Sequence, residues 1–288
     1  MKSQVIFLAL SLLFSVQSFA TRSHKVDRAT IREIRKTLNF YFEGVNFGDI
    51  NAIAEAYHPH AYLTYVDVES GEYQKFQIGE YLTTLSQLPE RKHCRDMLLE
   101  SLDVTGEVAL AKTVITWQHL PKRMTDYITI MKVDDEWRII SRVSYTEWAS
   151  FETPHITRQD RKATQIEIYQ TIRDYLSGGQ THDGEIFKKA FHPQADMAFV
   201  HPKHKTCQRL SMQDYLNLHA RQSPNRKRQQ IIESVDITGN IAVAKVKLRY
   251  KKINAMITDY ICLVKTDGKW QITHKASHKE IKAMSIPI

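Results

Sequence analysis

Cysteine is scarce, and long apolar runs are absent beyond the first twenty residues. The chain of 288 residues has three cysteines, Cys94, Cys207 and Cys262. An odd, small set excludes a disulfide-built scaffold. Cys262 sits in an apolar strand and reads as a buried thiol, whereas a pairing of Cys94 with Cys207 stays open on sequence grounds. No segment after residue 20 is long and apolar enough to span a bilayer, which takes ~20 apolar residues. Nucleophile elbow, phosphate loop and dinucleotide fingerprint are all missing. The 13 histidines form local pairs, His58-x-His60 and His201-x-x-His204, without companion spacing for zinc. No metal and no cofactor are therefore expected. No nucleic-acid motif is present, and nucleic acid is not an expected partner.

What is there begins with an export signal. Lys2, the apolar run Val5 to Val16 and Ser18-Phe19-Ala20 have the charge, length and small-x-small ending of a cleaved signal peptide over 1–20. A periplasmic or secreted location follows as an expectation; an uncleaved anchor is the competing reading.

The rest is written twice. Tyr57-His58-Pro59-His60-Ala61 returns as Phe191-His192-Pro193-Gln194-Ala195, 134 residues on. Glu100-Ser101-Leu102-Asp103-Val104-Thr105-Gly106 returns as Glu233-Ser234-Val235-Asp236-Ile237-Thr238-Gly239, 133 residues on, and Thr125-Asp126-Tyr127-Ile128 returns as Thr258-Asp259-Tyr260-Ile261. Two tandem domains are expected, over 21–150 and 164–288, joined by a polar linker at 151–163 that contains Pro154.

Each copy promises helices first and strands afterwards. Thr30-x-x-Glu33 and Thr164-x-x-Glu167 are capping boxes for a first helix. Ile34, Leu38 and Tyr41, matched by Ile168, Ile172 and Tyr175, give it one apolar face. Gly44 and Gly178 suit a left-handed helix end. Asp49 and Asp183 are N-caps for a second, short helix that Pro59 and Pro193 would stop. A strand and a third helix follow, then four strands whose turns carry Gly106, Asp134-Asp135, Gly239 and Asp267-Gly268. The fold class is α+β: in each domain, three helices on a curved antiparallel sheet.

This order, with Tyr41-x-x-Gly44, Asp49, Tyr57-His58-Pro59-x-Ala61, Asp103-x-x-Gly106-x-x-Ala109, Asp126-Tyr127 and Lys132-x-x-x-x-Trp137, resembles the cone-shaped domain of the nuclear transport factor 2-like superfamily. The second copy repeats the pattern, with Phe191 in the place of Tyr57. Within that superfamily each copy is similar to the family labelled "putative lumazine-binding", near the polyketide-cyclase-like branch. The resemblance implies a ligand cavity between helices and sheet, a small-molecule partner, and pairing of the two domains through their sheets as an internal pseudo-two-fold dimer.

Candidate pocket residues follow. Asp126 and Asp259 share strand faces with apolar residues, which suits a carboxylate aimed into a cavity; exposure, or pairing with Lys or Arg, is the alternative. His58 and His192 are expected at the end of the second helix, either to bond its last carbonyls or to serve a ligand. Tyr41 and Tyr175 point from the first helix toward the sheet, with hydroxyls able to reach a ligand, and Tyr57 and Phe191 of the second helix are further pocket candidates. Trp137 and Trp270 read as packing anchors, with Ser141 and His274 on the same strand faces.

The net charge is +8. Lys245, Lys247, Arg249 and Lys251 alternate with apolar residues, close to Arg226-Lys227-Arg228, and form either a solvated sheet face or a contact for an anionic partner surface. The expected function is binding of a small, partly apolar ligand in one or both cones. Cofactor-independent acid/base catalysis at Asp126 or Asp259 and docking on an anionic surface are the alternatives.

Overall fold

The computed structural model describes residues 26–67, 70–87, 95–148, 158–201, 204–220 and 228–281. The expected signal segment and Cys94 lie outside the described residues, as do Arg226 and Lys227.

Domain 1 runs α1 (Arg28–Phe47), α2 (Ile50–Ala56), β1 (Tyr57–Val66), β2 (Tyr73–Gln77), α3 (Ile78–Ser86), β3 (Arg95–Thr105), β4 (Val108–Trp117), β5 (Lys122–Val133) and β6 (Glu136–Trp148). Domain 2 repeats this as α4 (Arg158–Thr181), α5 (Gly184–Ala190), β7 (Phe191–Val200), β8 (Cys207–Ser211), α6 (Met212–Ala220), β9 (Gln229–Thr238), β10 (Ile241–Tyr250), a 3₁₀ turn at Lys251–Ile253, β11 (Ala255–Thr266) and β12 (Lys269–Ile281). Each sheet has six strands, in the orders β2-β1-β6-β5-β4-β3 and β8-β7-β12-β11-β10-β9. The sheets are mixed: β1 lies parallel to β6 and β7 parallel to β12, and the other pairings are antiparallel. The short strands β2 and β8, only five residues each, were not anticipated from the sequence.

Several helix boundaries differ from expectation. α1 starts at Arg28, and its cap is Asp27, whose carboxylate accepts from Thr30 N at 2.8 Å and from the Thr30 hydroxyl at 3.0 Å. Thr30 is thus inside the first turn. α4 starts at Arg158, inside the expected linker and ahead of Thr164. Asp49 and Asp183 do cap α2 and α5.

Gly44 and Gly178 do not end helices. They sit inside them, because a side chain there would meet the next helix: a Cβ on Gly44 would lie 2.8 Å from Asp49 O, and one on Gly178 2.8 Å from Phe187 N. The left-handed end of α1 is Gly48, at φ 72°.

The helices cover one face of each sheet. Ile34, Leu38 and Tyr41 pack with Ile128, Ile130, Trp137 and Ile139 in domain 1; Ile168, Ile172 and Tyr175 pack with Ile261, Leu263, Trp270 and Ile272 in domain 2. Thr37 and Thr171 pin these helices by donating to the carbonyls of Trp137 (2.7 Å) and Trp270 (3.0 Å).

The other faces of the two sheets pack on each other through a third core that contains Leu110, Tyr127 and Met131 with Val243, Tyr260 and Cys262. The contacts are reciprocal, as a two-fold requires. Tyr127 OH meets Asp236 and Thr238, both at 3.0 Å, while Tyr260 OH meets Asp103 and Thr105. Lys112 pairs with Asp236 (2.9 Å) and Lys245 with Asp103 (2.6 Å). Gly106 lies under His278, and Gly239 under Tyr145. Thr129 and Cys262, themselves equivalent positions, meet at 3.8 Å near the axis. Cys262 is the buried thiol expected, and burial pushes it up to about 12.

This packing overturns the reading of a basic strand face. Lys245 is buried in the domain interface, and Lys247 pairs with Glu233 at 2.6 Å. Arg249 is exposed, and Lys251 has left the strand for the 3₁₀ turn. The sheet face is covered by a second sheet, and Lys245 and Lys247 have carboxylate partners, so the four cations do not form a free anion-binding stripe.

Candidate functional site

Both cones hold the same buried cluster. In domain 1, Asp126 accepts from Tyr41 OH at 2.7 Å and from Ser144 Oγ at 2.6 Å. Arg142 donates to Tyr41 OH at 2.8 Å and lies over the rings of Tyr41 and Tyr81, 5.3 and 5.4 Å from their centroids. In domain 2, Asp259 accepts from Tyr175 OH and Ser277 Oγ, each at 2.6 Å. Lys275 takes the place of Arg142: its Nζ is 3.3 Å from Asp259 Oδ1, 2.7 Å from Ser277 Oγ and 5.1 Å from the Tyr215 ring centroid.

Strand register builds these clusters. Asp126 is opposite Ser144 and Ile128 opposite Arg142; Asp259 is opposite Ser277 and Ile261 opposite Lys275. Cross-strand neighbours of this kind touch on one sheet face.

Burial sets the electrostatics. It pushes the Tyr41 and Tyr175 phenols well above their ordinary value, so both remain hydrogen-bond donors near neutral pH. Burial alone would depress the Lys275 ammonium, but Asp259 and Tyr215 outweigh it and hold Lys275 above its usual value. Arg142 is also held up, by Tyr41, Tyr57 and Asp126, against its burial. Each cone thus carries a carboxylate, phenols and a firmly protonated cation. Such a set can orient a polar group or stabilise charge that develops on it.

A cavity of about 720 Å³ opens over the domain 2 cluster. Tyr175, Tyr215, Asp259, Lys275 and Ser277 line it together with apolar side chains, among them Met197, Leu210, Leu248 and Ile257. Arg228 and Tyr250 line it as well, and Glu107 of domain 1 reaches it. A smaller cavity of about 200 Å³ lies between α1 and Trp137 in domain 1 and is separate from the Asp126 cluster.

The structure brings together Tyr41 with Asp126, and Tyr175 with Asp259. Tyr57 and Phe191 support the tyrosines edge-on, at 5.9 and 5.7 Å between centroids. Trp137 and Trp270 are buried anchors beneath α1 and α4.

Other candidates lie elsewhere. His58 and His192 fall beyond α2 and α5, which end at Ala56 and Ala190, and belong to β1 and β7. Their Nδ1 atoms accept from the backbone of His60 and Gln194, each at 3.2 Å. Burial lowers both histidines, so neither is the cation that a helix end would favour. Ser141 and His274 do not share the cone face with the tryptophans. Bulges at Ile140 and Thr273, seen as register shifts in both sheets, reverse the alternation and turn them toward the other domain. His274 there meets Asp196 at 3.1 Å.

The same bulges hid Arg142, Lys275, Ser144 and Ser277, which strict alternation from Trp137 and Trp270 assigns to the wrong face. A cation recurring at one position of an apolar strand, in Arg142-Val143 and Lys275-Ala276, was the available signal. Among the described residues no group of three or more His, Cys, Asp and Glu is arranged to hold a metal ion. No helix among them is long and apolar enough to cross a membrane.

A family profile described as "Putative lumazine-binding" matches residues 29–145 and again 163–278. The chain belongs to this family, in two tandem copies. Among curated proteins, this lumazine-binding-like tandem is similar to "Aldolase FrzH" of Cladobotryum sp, with 27% identity over 107 residues that make up 37% of this chain and 82% of that protein. Among solved structures it is similar to an NTF2-like protein of unknown function from Shewanella baltica OS155, at 20% identity and TM-score 0.38, over 41% of this chain and 94% of the other. Another, from Methylobacillus flagellatus KT, has 24% identity and TM-score 0.38, over 44% and 96%.

Proposed function

We propose that the protein binds a small, partly apolar molecule in the cone of its second domain. The observation that carries this is the cavity of about 720 Å³ ending on the Tyr175–Asp259–Lys275–Ser277 cluster. Its size falls in the range of small-molecule sites, roughly 300–1,000 Å³, and its lining has their character of apolar walls with a few polar groups. The apolar walls hold the body of the ligand, and Asp259, Lys275 and Tyr175 orient its polar end. Native mass spectrometry of the protein, before and after denaturation, tests this. A stoichiometric adduct that is released on unfolding, and is missing in the cavity-filling variant Leu210→Trp, is the expected result. An adduct that survives Leu210→Trp unchanged sinks the assignment to this cavity.

The ion pair beneath the cavity, together with the similarity to an aldolase, favours a second reading as a cofactor-independent acid/base enzyme. In this reading Asp259 takes a proton from the carbon beside a carbonyl. Lys275 and Tyr175 then stabilise the negative charge that develops on the carbonyl oxygen. Exchange of the α-hydrogens of a panel of ketones with deuterium from D₂O, followed by NMR, is the assay. Exchange no faster than in buffer, or equally fast in Asp259→Asn, rules this chemistry out.

We also propose that the chain is exported and processed after Ala20, on the strength of its first twenty residues. The N-terminal sequence of protein recovered from outside the cytoplasm should begin at Thr21; retention of Met1 would refute it.

A further inference from the structure

The charged residues that line the cavity of the second domain are Asp259, Lys275, Arg228, Glu107, Lys205 and Lys279, of which Lys205 and Lys279 are exposed to solvent. Lys275 is committed to Asp259 and Ser277. Arg228 has no such commitment. Its Nη1 donates to Tyr250 OH at 2.8 Å and its Nη2 to the Leu176 carbonyl at 3.2 Å, while Nε is buried without a hydrogen-bond partner. Among the described residues no carboxylate pairs with it. Toward the outside, Lys205 is already paired with Glu107 at 2.7 Å. The interior therefore carries one uncompensated positive charge in an apolar setting, where an anion is attracted more strongly than in water.

The arrangement occurs twice. Arg95 is the equivalent residue of domain 1, at the same strand start. It donates to a carbonyl near the end of α1, Val45 O at 3.0 Å, and its Nε is likewise buried without a partner. Each arginine lies over the aromatic ring at one matched position of the neighbouring strand: Arg95 over Trp117 at 4.9 Å, Arg228 over Tyr250 at 5.9 Å. In domain 2 the space is kept by Gly179, where a Cβ would come within 2.9 Å of Arg228 Nη2. A guanidinium clamped to helix carbonyls and an aromatic ring is held in place before any ligand arrives, and its planar fork suits carboxylate, sulfonate or phosphate oxygens.

We infer that the ligand of the second cone is a monoanion, an apolar body bearing one acid group that Arg228 receives. This rests on the cavity-binding reading and specifies its ligand class. The test titrates the full chain with two fluorescent probes that share the same rings: 1-anilinonaphthalene-8-sulfonate, a monoanion, and N-phenyl-1-naphthylamine, which lacks the acid group. The sulfonate is expected to bind about tenfold tighter or more, the factor a charge-assisted hydrogen bond brings. Arg228→Gln is expected to remove most of that preference and leave the neutral probe unchanged. Leu210→Trp should weaken both probes.

Equal affinity of the two probes for the unmodified protein overturns the inference without recourse to any variant. So does a preference that persists in a folded Arg228→Gln. If the neutral probe binds and responds to Leu210→Trp, the cavity reading survives that failure. If neither probe binds, or neither responds to Leu210→Trp, the cavity reading fails and the inference with it.

Discussion

Replacing Lys275 by Met would leave a carboxylate alone in a buried site. Lys275 Nζ lies 3.3 Å from Asp259 Oδ1, and the two side chains are 7% and 1% exposed. At an effective dielectric of about 20, the attraction at that separation is about 5 kcal/mol. Part of this offsets the cost of burying the ammonium, which Met does not incur while keeping a similar stem. Tyr175 and Ser277 still donate to the carboxylate. The net loss should fall near the low end for a broken buried pair, about 3 kcal/mol. Asp259→Asn strands the ammonium instead and should cost a similar amount, about 3 kcal/mol. The double variant restores neutrality, so its cost should fall short of the sum of the singles by about 2 kcal/mol. Equilibrium urea unfolding followed by circular dichroism measures all three. Additivity within about 0.5 kcal/mol would refute the claim that this ion pair is coupled in the folded cone.

Three further outcomes are expected. Gly44→Ala should destabilise by about 2 kcal/mol in thermal unfolding, although alanine favours a helix by about 1 kcal/mol, because the Cβ enters the backbone of α2; a stabilised variant would show that α1 and α2 have room to part. Tyr127→Phe and Tyr260→Phe each break reciprocal hydrogen bonds between the domains and should each cost about 1–2 kcal/mol, an expectation that fails if unfolding midpoints do not move. Asp196 bridges the domains through Lys75 at 3.0 Å and also meets Arg209 and His274. Burial would raise this carboxyl, but those three contacts outweigh it and hold it well below the usual range; burial keeps His274 itself low and neutral at pH 7, so the standing cations are Arg209 and Lys75. A depressed folded pKa stabilises above the unfolded value, about 3.9, and the contribution is lost as pH falls through the folded value. Asp196→Asn should therefore be less stable than the parent at pH 7, with a gap that narrows below about pH 4; a gap independent of pH would contradict this.

The repeat, the α+β order, the N-caps at Asp49 and Asp183, the hairpin glycines Gly106 and Gly239, and the apolar helix faces that carry Tyr41 and Tyr175 toward the sheet were all legible in the residues. Each rests on local chemistry or on regular alternation within one element: a carboxylate at a helix start, a glycine at positive φ, a tyrosine on an apolar helix face. What only the tertiary structure decided depends on events between elements. Bulges at Ile140 and Thr273 insert one residue and exchange the faces of everything after them, which hid Arg142 and Lys275 and misplaced Ser141 and His274. Gly44 and Gly178 look like helix ends until a second helix is seen against them. Lys245 looks like part of a solvated face until another sheet, with Asp103 on it, covers that face. A pattern along one strand or helix reports which side is apolar; what stands on that side, and how much space is left there, is set by other elements, from the next helix nine residues on (Gly178 against Phe187) to a sheet 142 residues away (Lys245 against Asp103).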